Sequence, residues 1–215
     1  MHRRKLGALA CAVLLALACA LPALAQDAVT LEQAGEILNA QARKERALLI
    51  GVDYFVSKPS TYPSSANNVL AMQAMFESAL MPLESLTVPQ SPVTTAEQLA
   101  QLIGQAFGQA REGDVSYLYL STHGVYDAES GQGPMLLLSD GETENGLTPR
   151  QLEAAFEGIA GTKVLILDEP TAGLDPRGRE EIFSNVQAYQ RTTGKTVVIV
   201  SHSMEDMARY AEDLI

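Results

Sequence analysis

Four short apolar runs set the limits on how this chain can fold: Ala47–Asp53, Val115–Ser121, Lys163–Leu167 and Thr196–Ser201. Each is too short for a stable helix and each is bounded by charged or small polar residues. A run that is apolar on successive residues offers both faces for burial, as a parallel strand covered by helices requires. A fifth, shorter run, Met135–Leu138, reads as one more strand. Between the runs the apolar spacing changes to that of helices. Asn67–Leu80 places Leu70, Ala71, Ala74 and Met75 on one side, and Thr95–Ala110 does the same with Leu99, Leu102, Ile103 and Phe107. Thr94 or Thr95 can cap the second of these helices. Thr148-Pro149 opens another that runs to about Gly158, by cap and first-position proline. Arg177–Arg191, Met204–Leu214 and a polar N-terminal stretch, Thr30–Arg46, complete the set. Strands alternating with helices imply right-handed crossovers, hence an α/β fold with a three-layer arrangement: a parallel sheet with helices on both faces. The stretches 56–66, 124–134 and "SDGETENG" read as loops and turns.

The first 25 residues stand apart. His2-Arg3-Arg4-Lys5 precedes an uncharged apolar run from Leu6 to Ala25 that ends Ala23-Leu24-Ala25, the pattern of a secretory signal peptide. This predicts a secreted or periplasmic protein with no membrane span after cleavage; lipid attachment at Cys19, in "LALAC", is the alternative. Residues 26–46 are expected to form an N-terminal helix. Both cysteines, Cys11 and Cys19, fall inside the signal segment. The remainder therefore has no thiol for a disulfide, a metal or a nucleophile. The chain holds 15 basic against 26 acidic residues, a formal charge of −11, and cleavage removes three of the basic ones. Such a surface repels nucleic acid and anionic lipid.

Residues 47–168 resemble the caspase-like peptidases, the family that includes the metacaspases, through "ALLIGVDYF", "ANNVLAMQAMF", "EGDVSYLYLSTHG" and "LTPRQLEAAFEGIAGTKVLILD" in that order. The resemblance implies that His123, at the end of a strand, is the general base. It also implies that Ser121 and Asp168 belong to the pocket for a basic substrate residue. Asn68 stands where that family has an aspartate, and Thr122 where it has a glycine. The family's nucleophilic cysteine is missing: Asp168 is followed by Glu169-Pro170-Thr171-Ala172-Gly173, and Thr171 has no local base. The resemblance thus implies a peptidase scaffold without a nucleophile, able to bind a peptide or protein.

From Val164 onward the chain resembles ABC transporter ATPases of the energy-coupling-factor and cobalt-importer type. "VLILDEPTAGLDP" matches the Walker B strand and D-loop, and "TVVIVSHSMEDMARYAEDLI" the switch histidine and following helix. This resemblance implies that Asp168 holds Mg²⁺ through water and Glu169 orients the attacking water. His202 senses the γ-phosphate, and Asp175 lies in the loop that meets a second subunit. It also implies Mg-ATP as ligand, membrane subunits of a transporter as partners and a cytoplasmic location. On the other reading no cofactor is expected. A phosphate-cradling G-x-x-x-x-G-K-[ST] is not found in the 215 residues. Gly194-Lys195-Thr196 imitates its end, but Tyr189 occupies the first glycine position and a strand follows. The signature "LSGGQ" and a glutamine loop are missing too. The two resemblances share "VLILD", and the chain reads as a hybrid that passes from one to the other at Asp168.

If residues 47–168 are caspase-like, the strands at Leu48, Leu118 and Leu165 lie parallel in one sheet, and His123 and Asp168 meet at its carboxyl edge. If the tail packs as in an ATPase, the strand at Val198 extends that sheet and brings His202 to the edge where Glu169 stands. Without a cysteine the chain that follows Ala25 should hydrolyse no Arg-, Lys- or Asp-terminated peptide reporter. Cleavage by the pure protein that a thiol blocker abolishes would overturn the missing-nucleophile reading.

Overall fold

The computed structural model describes residues 42–57, 64–79, 83–127, 132–172 and 174–213. By internal contacts the chain divides into two units, Met1–Ala42 and Arg43–Ile215, and the strands and helices of the described residues belong to the second. The signal segment and most of the expected N-terminal helix lie outside the described residues. The end of that helix is corrected: Glu45 and Arg46 open a strand. They are drawn into it by pairing with Val115 and Ser116, and Asp114 accepts hydrogen bonds from the backbone N–H of Lys44 and the guanidinium of Arg46, both at 2.9 Å.

The main sheet contains β1 (Glu45–Gly51), β2 (Ser85–Thr87), β3 (Val115–Ser121), β7 (Thr162–Asp168) and β8 (Thr196–Val200), in the order β2-β1-β3-β7-β8. Every neighbouring pair is parallel. Leu48, Leu118, Leu165 and Val197 stand in one row across four strands, so the expected parallel alignment holds, and β8 extends it. A second sheet pairs β4 (Gly124–Asp127), β5 (Gln132–Ser139) and β6 (Glu144–Leu147) antiparallel. The helices are α1 (Ser65–Glu77), α2 (Ala96–Phe107), α3 (Pro149–Ala155), α4 (Pro176–Thr193) and α5 (Met204–Tyr210). Among the described residues no helix is long and apolar enough to cross a membrane.

Side-chain alternation along the strands divides the core between the two faces of the sheet. Leu48, Leu118, Leu120, Leu165 and Leu167 pack with Leu99, Ile103 and Phe107 of α2, with Leu152 of α3 and with Tyr189 of α4. Ala47, Leu49, Tyr119 and Ile166 point the other way, toward Val69 and Phe76 of α1. The second sheet closes over the first cluster through Leu136, Leu138 and Leu147. Its strands β4 and β6 replace the loop and turn that the sequence predicts there, and β2 of the main sheet lies in a stretch to which the sequence assigns no element. They are short and their residues are mostly polar or small, so strand partners rather than local preference make them.

Helix starts follow the sequence signals closely. Thr95 with Gln98, and Thr148 with Gln151, form reciprocal capping boxes. Asp175 accepts from the Gly178 N–H at 2.7 Å to cap α4, with Pro176 in the first turn, and Gly194 ends that helix at φ 64°. Ser64 gives α1 no side-chain cap. Asp53, just past β1, does so instead, accepting from the N–H groups of Ser65 and Ala66 at 2.6 and 3.0 Å.

At the amino end of the sheet Arg46 and Asp114 form an ion pair at 2.9 Å, with side chains 6% and 7% exposed. Burial pushes the Asp114 carboxyl upward, but the N–H groups of Lys44 and Arg111 and the Arg46 guanidinium outweigh it and hold the group at about 2. Because that value lies below the unfolded one, the stabilisation is fully present above about pH 4 and is lost as pH falls toward 2. Arg46→Met should destabilise the fold by about 3 kcal/mol at neutral pH, by stranding a buried carboxylate. Urea denaturation at pH 7 and at pH 2.5 measures both effects. An equal loss at the two pH values would show that the charge pair is not the source.

Candidate functional site

The carboxyl ends of β3, β7 and β8 coincide, because Ser121, Asp168 and Val200 stand in one row. Open parallel sheets assemble their sites at this edge, where loops leave the strands and side chains at the strand ends converge. Every candidate residue except Asp175 falls at or within two residues of the row. His123 follows β3 by two residues, Glu169 follows β7 directly, and His202 lies two beyond β8. The loop carrying His123 touches the one after Asp168: a Cβ on Gly124 would stand 2.3 Å from the Pro170 carbonyl oxygen, so only glycine permits this approach. Asp175 lies farther along the chain, as the cap of α4.

Asp168 is turned into the protein, 6% exposed. Its Oδ2 accepts from the Tyr119 hydroxyl at 2.6 Å, the Asn68 amide at 2.8 Å and the Ser121 hydroxyl at 3.0 Å. Burial, and then the bond to this carboxylate, push the Tyr119 phenol well above its ordinary range, so it stays a donor. Ser65 extends the cluster, lying 3.1 Å from Ser121 and donating to the Val52 carbonyl at 2.9 Å. Tyr119 and Ser65 are not among the residues that the sequence singles out. The available signal was that Tyr119 lies two residues before Ser121 and so shares its face, beside the strand that ends in Asp168.

Glu169 behaves differently. Its backbone adopts φ 52°, the left-handed region that costs a non-glycine residue roughly 1–2 kcal/mol. Its N–H still donates to the Val200 carbonyl at 2.9 Å, and its own carbonyl accepts from Ala172 at 3.0 Å. The twist sends the side chain over the end of β8. There Oε1 accepts from the His202 backbone N–H at 2.8 Å and lies 2.9 Å from Nδ1 of the same residue. The imidazole is 85% exposed. A cleft of about 100 Å³ opens beside the pair, reaching Thr171, Arg179, Ser201 and Ser203. Glu169 and His202 can hold and pass a proton at this cleft. His123 stands on the β3 side of Asp168, half-buried, its ring 4.8 Å from that of Phe55.

Of the residues that the tail's resemblance assigns to Mg-ATP, Glu169 and His202 face the open cleft, whereas Asp168 is buried with one carboxylate oxygen engaged. Three donors from the body of the chain converge on its Oδ2. Nor does either strand flanking β7 end in a phosphate-cradling loop: β3 runs into Thr122-His123-Gly124 and β8 into Ser201-His202-Ser203.

No family model matches the chain. It is similar to the energy-coupling factor transporter ATP-binding protein EcfA2 of Clostridium perfringens, 57% identical over 53 residues, covering 25% of this chain and 19% of that protein. The Symbiobacterium thermophilum protein of the same name is 62% identical over 53 residues (25% and 18%), and that of Acetivibrio thermocellus 56% over 71 (33% and 25%). The chain thus spans about a fifth to a quarter of the length of these curated relatives. Among solved structures it is similar to protein GSU0716 from Geobacter sulfurreducens, with TM-score 0.46 and 18% identity over 67% of this chain and 65% of that one, a likeness that carries nothing about function.

Asp168→Ala should strand the Tyr119, Ser121 and Asn68 donors and destabilise the fold by about 1–3 kcal/mol for each one left buried without an acceptor. Glu169→Gln, at an open cleft, should cost less than about 1 kcal/mol. Chemical denaturation of the two variants side by side decides it; equal losses would mean that the Asp168 cluster holds nothing together.

Proposed function

We propose that residues 164–215 serve as the Walker B, D-loop and switch-histidine segment of an ATP-binding protein of the energy-coupling-factor transporter type. On this reading the segment couples to transporter partners in the cytoplasm and does not turn over ATP by itself. The Glu169–His202 hydrogen bonds carry the reading, since they join the two residues to which the ATPase resemblance gives the water and the γ-phosphate. The identity with EcfA2 proteins supports it. The closed state of Asp168 supports the restriction. Phosphoryl transfer depends on positioning and electrostatics, and a segment without a backbone cradle for the phosphates, with Oδ2 of its aspartate held by three donors, does not supply them by itself.

The Asn68–Ser121–Asp168 cluster favours a second reading for residues 47–168: a caspase-like domain without its nucleophile, joined to the tail in a hybrid chain. His123, Ser121 and Asp168 then belong to a peptide-binding edge that cuts nothing, on a protein exported by its first 25 residues.

Calorimetry with Mg-ATP at about 1 mM should give no binding heat, because no backbone cradle surrounds the phosphates. Co-purification with the membrane subunit and partner ATPase of an energy-coupling-factor transporter should recover a complex. A dissociation constant below about 1 mM that Asp168→Asn abolishes would show an autonomous ATP site. Absence of both heat and complex would leave only the peptide-binding reading.

A further inference from the structure

The two edges of the main sheet differ in how they are protected. β2, at one side, has three residues, too few to invite another strand. β8, at the other, has five, Thr196, Val197, Val198, Ile199 and Val200, and each is β-branched. Sheet edges are ordinarily blunted by a charge, a proline or a bulge, and Thr196–Val200 has none of these. Val200 and Met204, 44% and 74% exposed, stand at the carboxyl end of the same edge. From Thr196 to Met204 the sequence carries neither a carboxylate nor an ammonium group, in a chain of net charge −11.

The Glu169 N–H donates to the Val200 carbonyl at 2.9 Å, which fixes the direction of the β8 backbone groups. Those of Thr196, Val198 and Val200 face β7, and by alternation those of Val197 and Ile199 face outward. Among the described residues no strand lies beyond β8, and no loop bonds to the outward groups. They are a ready template for another chain.

We infer that β8 is an interaction surface for a second copy of this chain, the two β8 strands pairing antiparallel about a two-fold axis at Val198. Val197 then pairs with Ile199 of the second copy, and Ile199 with its Val197, which satisfies the outward N–H and C=O groups of both residues in both copies. Val198 meets its own counterpart and Thr196 meets Val200, β-branched pairs that suit facing strands and cover the exposed valine. Charge decides between the two directions. Lys195 precedes the edge and Glu205 follows it, so an antiparallel mate opposes unlike charges, whereas a parallel one aligns like with like. The inference rests on neither the ATPase nor the peptide reading, whose site residues it does not use.

Sedimentation velocity of the full chain should give twice the chain mass, falling to the single mass on dilution. Ile199→Pro removes an outward donor and leaves the bonds to β7 in place. It should raise the dimer dissociation constant by about tenfold or more, with unchanged circular dichroism. Val198→Lys, which sets two ammonium groups against each other on the axis, should do the same, and Val198→Thr should not. Leu70→Lys, on the exposed face of α1, should leave the dimer as it is. Cross-linking in a Cys11→Ser/Cys19→Ser background reads the register. Val198→Cys should form a disulfide-linked dimer under mild oxidation, because facing residues of a non-hydrogen-bonded antiparallel pair stand about 4.5 Å apart between Cα atoms. Thr196→Cys, roughly 13 Å from its counterpart, should not. A single mass at about 100 μM overturns the proposal. A dimer that survives both Ile199→Pro and Val198→Lys overturns it too, as does cross-linking at Thr196 in preference to Val198.

Discussion

The Asp168 carboxylate is the acceptor on which the site edge of this protein depends. It ends β7, the strand that pairs with β3 on one side and β8 on the other. Its Oδ2 gathers Tyr119 and Ser121 from β3 and Asn68 from α1, so one oxygen ties together a strand, its neighbour and the helix above them. Charge-assisted bonds of this kind are about twice as strong as neutral ones, and in a buried setting they are costly to leave unmade. The same aspartate is where two family resemblances coincide. A substrate-pocket acid and a cation-binding acid ask for the same physical object, an apolar parallel strand that ends in a carboxylate at the sheet's edge. Here three donors hold one of the two carboxylate oxygens.

Beyond Asp168 the chain leaves that cluster at once. Glu169 takes up a left-handed conformation, and its side chain turns to β8 and His202 instead of to β3. Adjacent residues thus serve opposite sides of one strand, Asp168 the body and Glu169 the tail. The tail is nevertheless packed into the body. Gly124 admits the Pro170 carbonyl, and Ile182 of α4 reaches the same point. Tyr189 of α4 joins the cluster formed by β1, β3, β7, α2 and α3. Parallel strands and crossover helices join by the same rules whatever chain segment supplies them.

The amino end of the sheet divides its charges between two places. At the amino end of β1 and β3, Arg46 and Asp114 neutralise each other, and Asp114 accepts from backbone N–H groups as well. At the amino end of β7 and β8, Lys163 and Lys195 join no ion pair among the described residues, and Lys195 stands over the Tyr189 ring.

The sequence by itself determined the alternation of apolar runs and helical stretches, and with it the parallel α/β sheet. Continuous apolar runs such as Ala47–Ile50 and Val164–Leu167 have no other way to bury two faces. It also placed His123, Asp168, Glu169 and His202 at one edge, since each ends or closely follows such a run. Caps at Thr95 and Thr148 were legible because capping is a local interaction between residues three apart, whereas the Asp175 cap emerged only in the structure. Partnerships across long separations, by contrast, belong to the folded chain. The strands β2, β4 and β6 exist because a neighbour pairs with them. Tyr119 and Asn68 close on Asp168 from 49 and 100 residues away. Lys163 meets Lys195 because β8 pairs with β7 in one particular register. Periodicity reports which face of an element is buried, but not what stands opposite it, and the chemistry of each cluster here resides in that second choice.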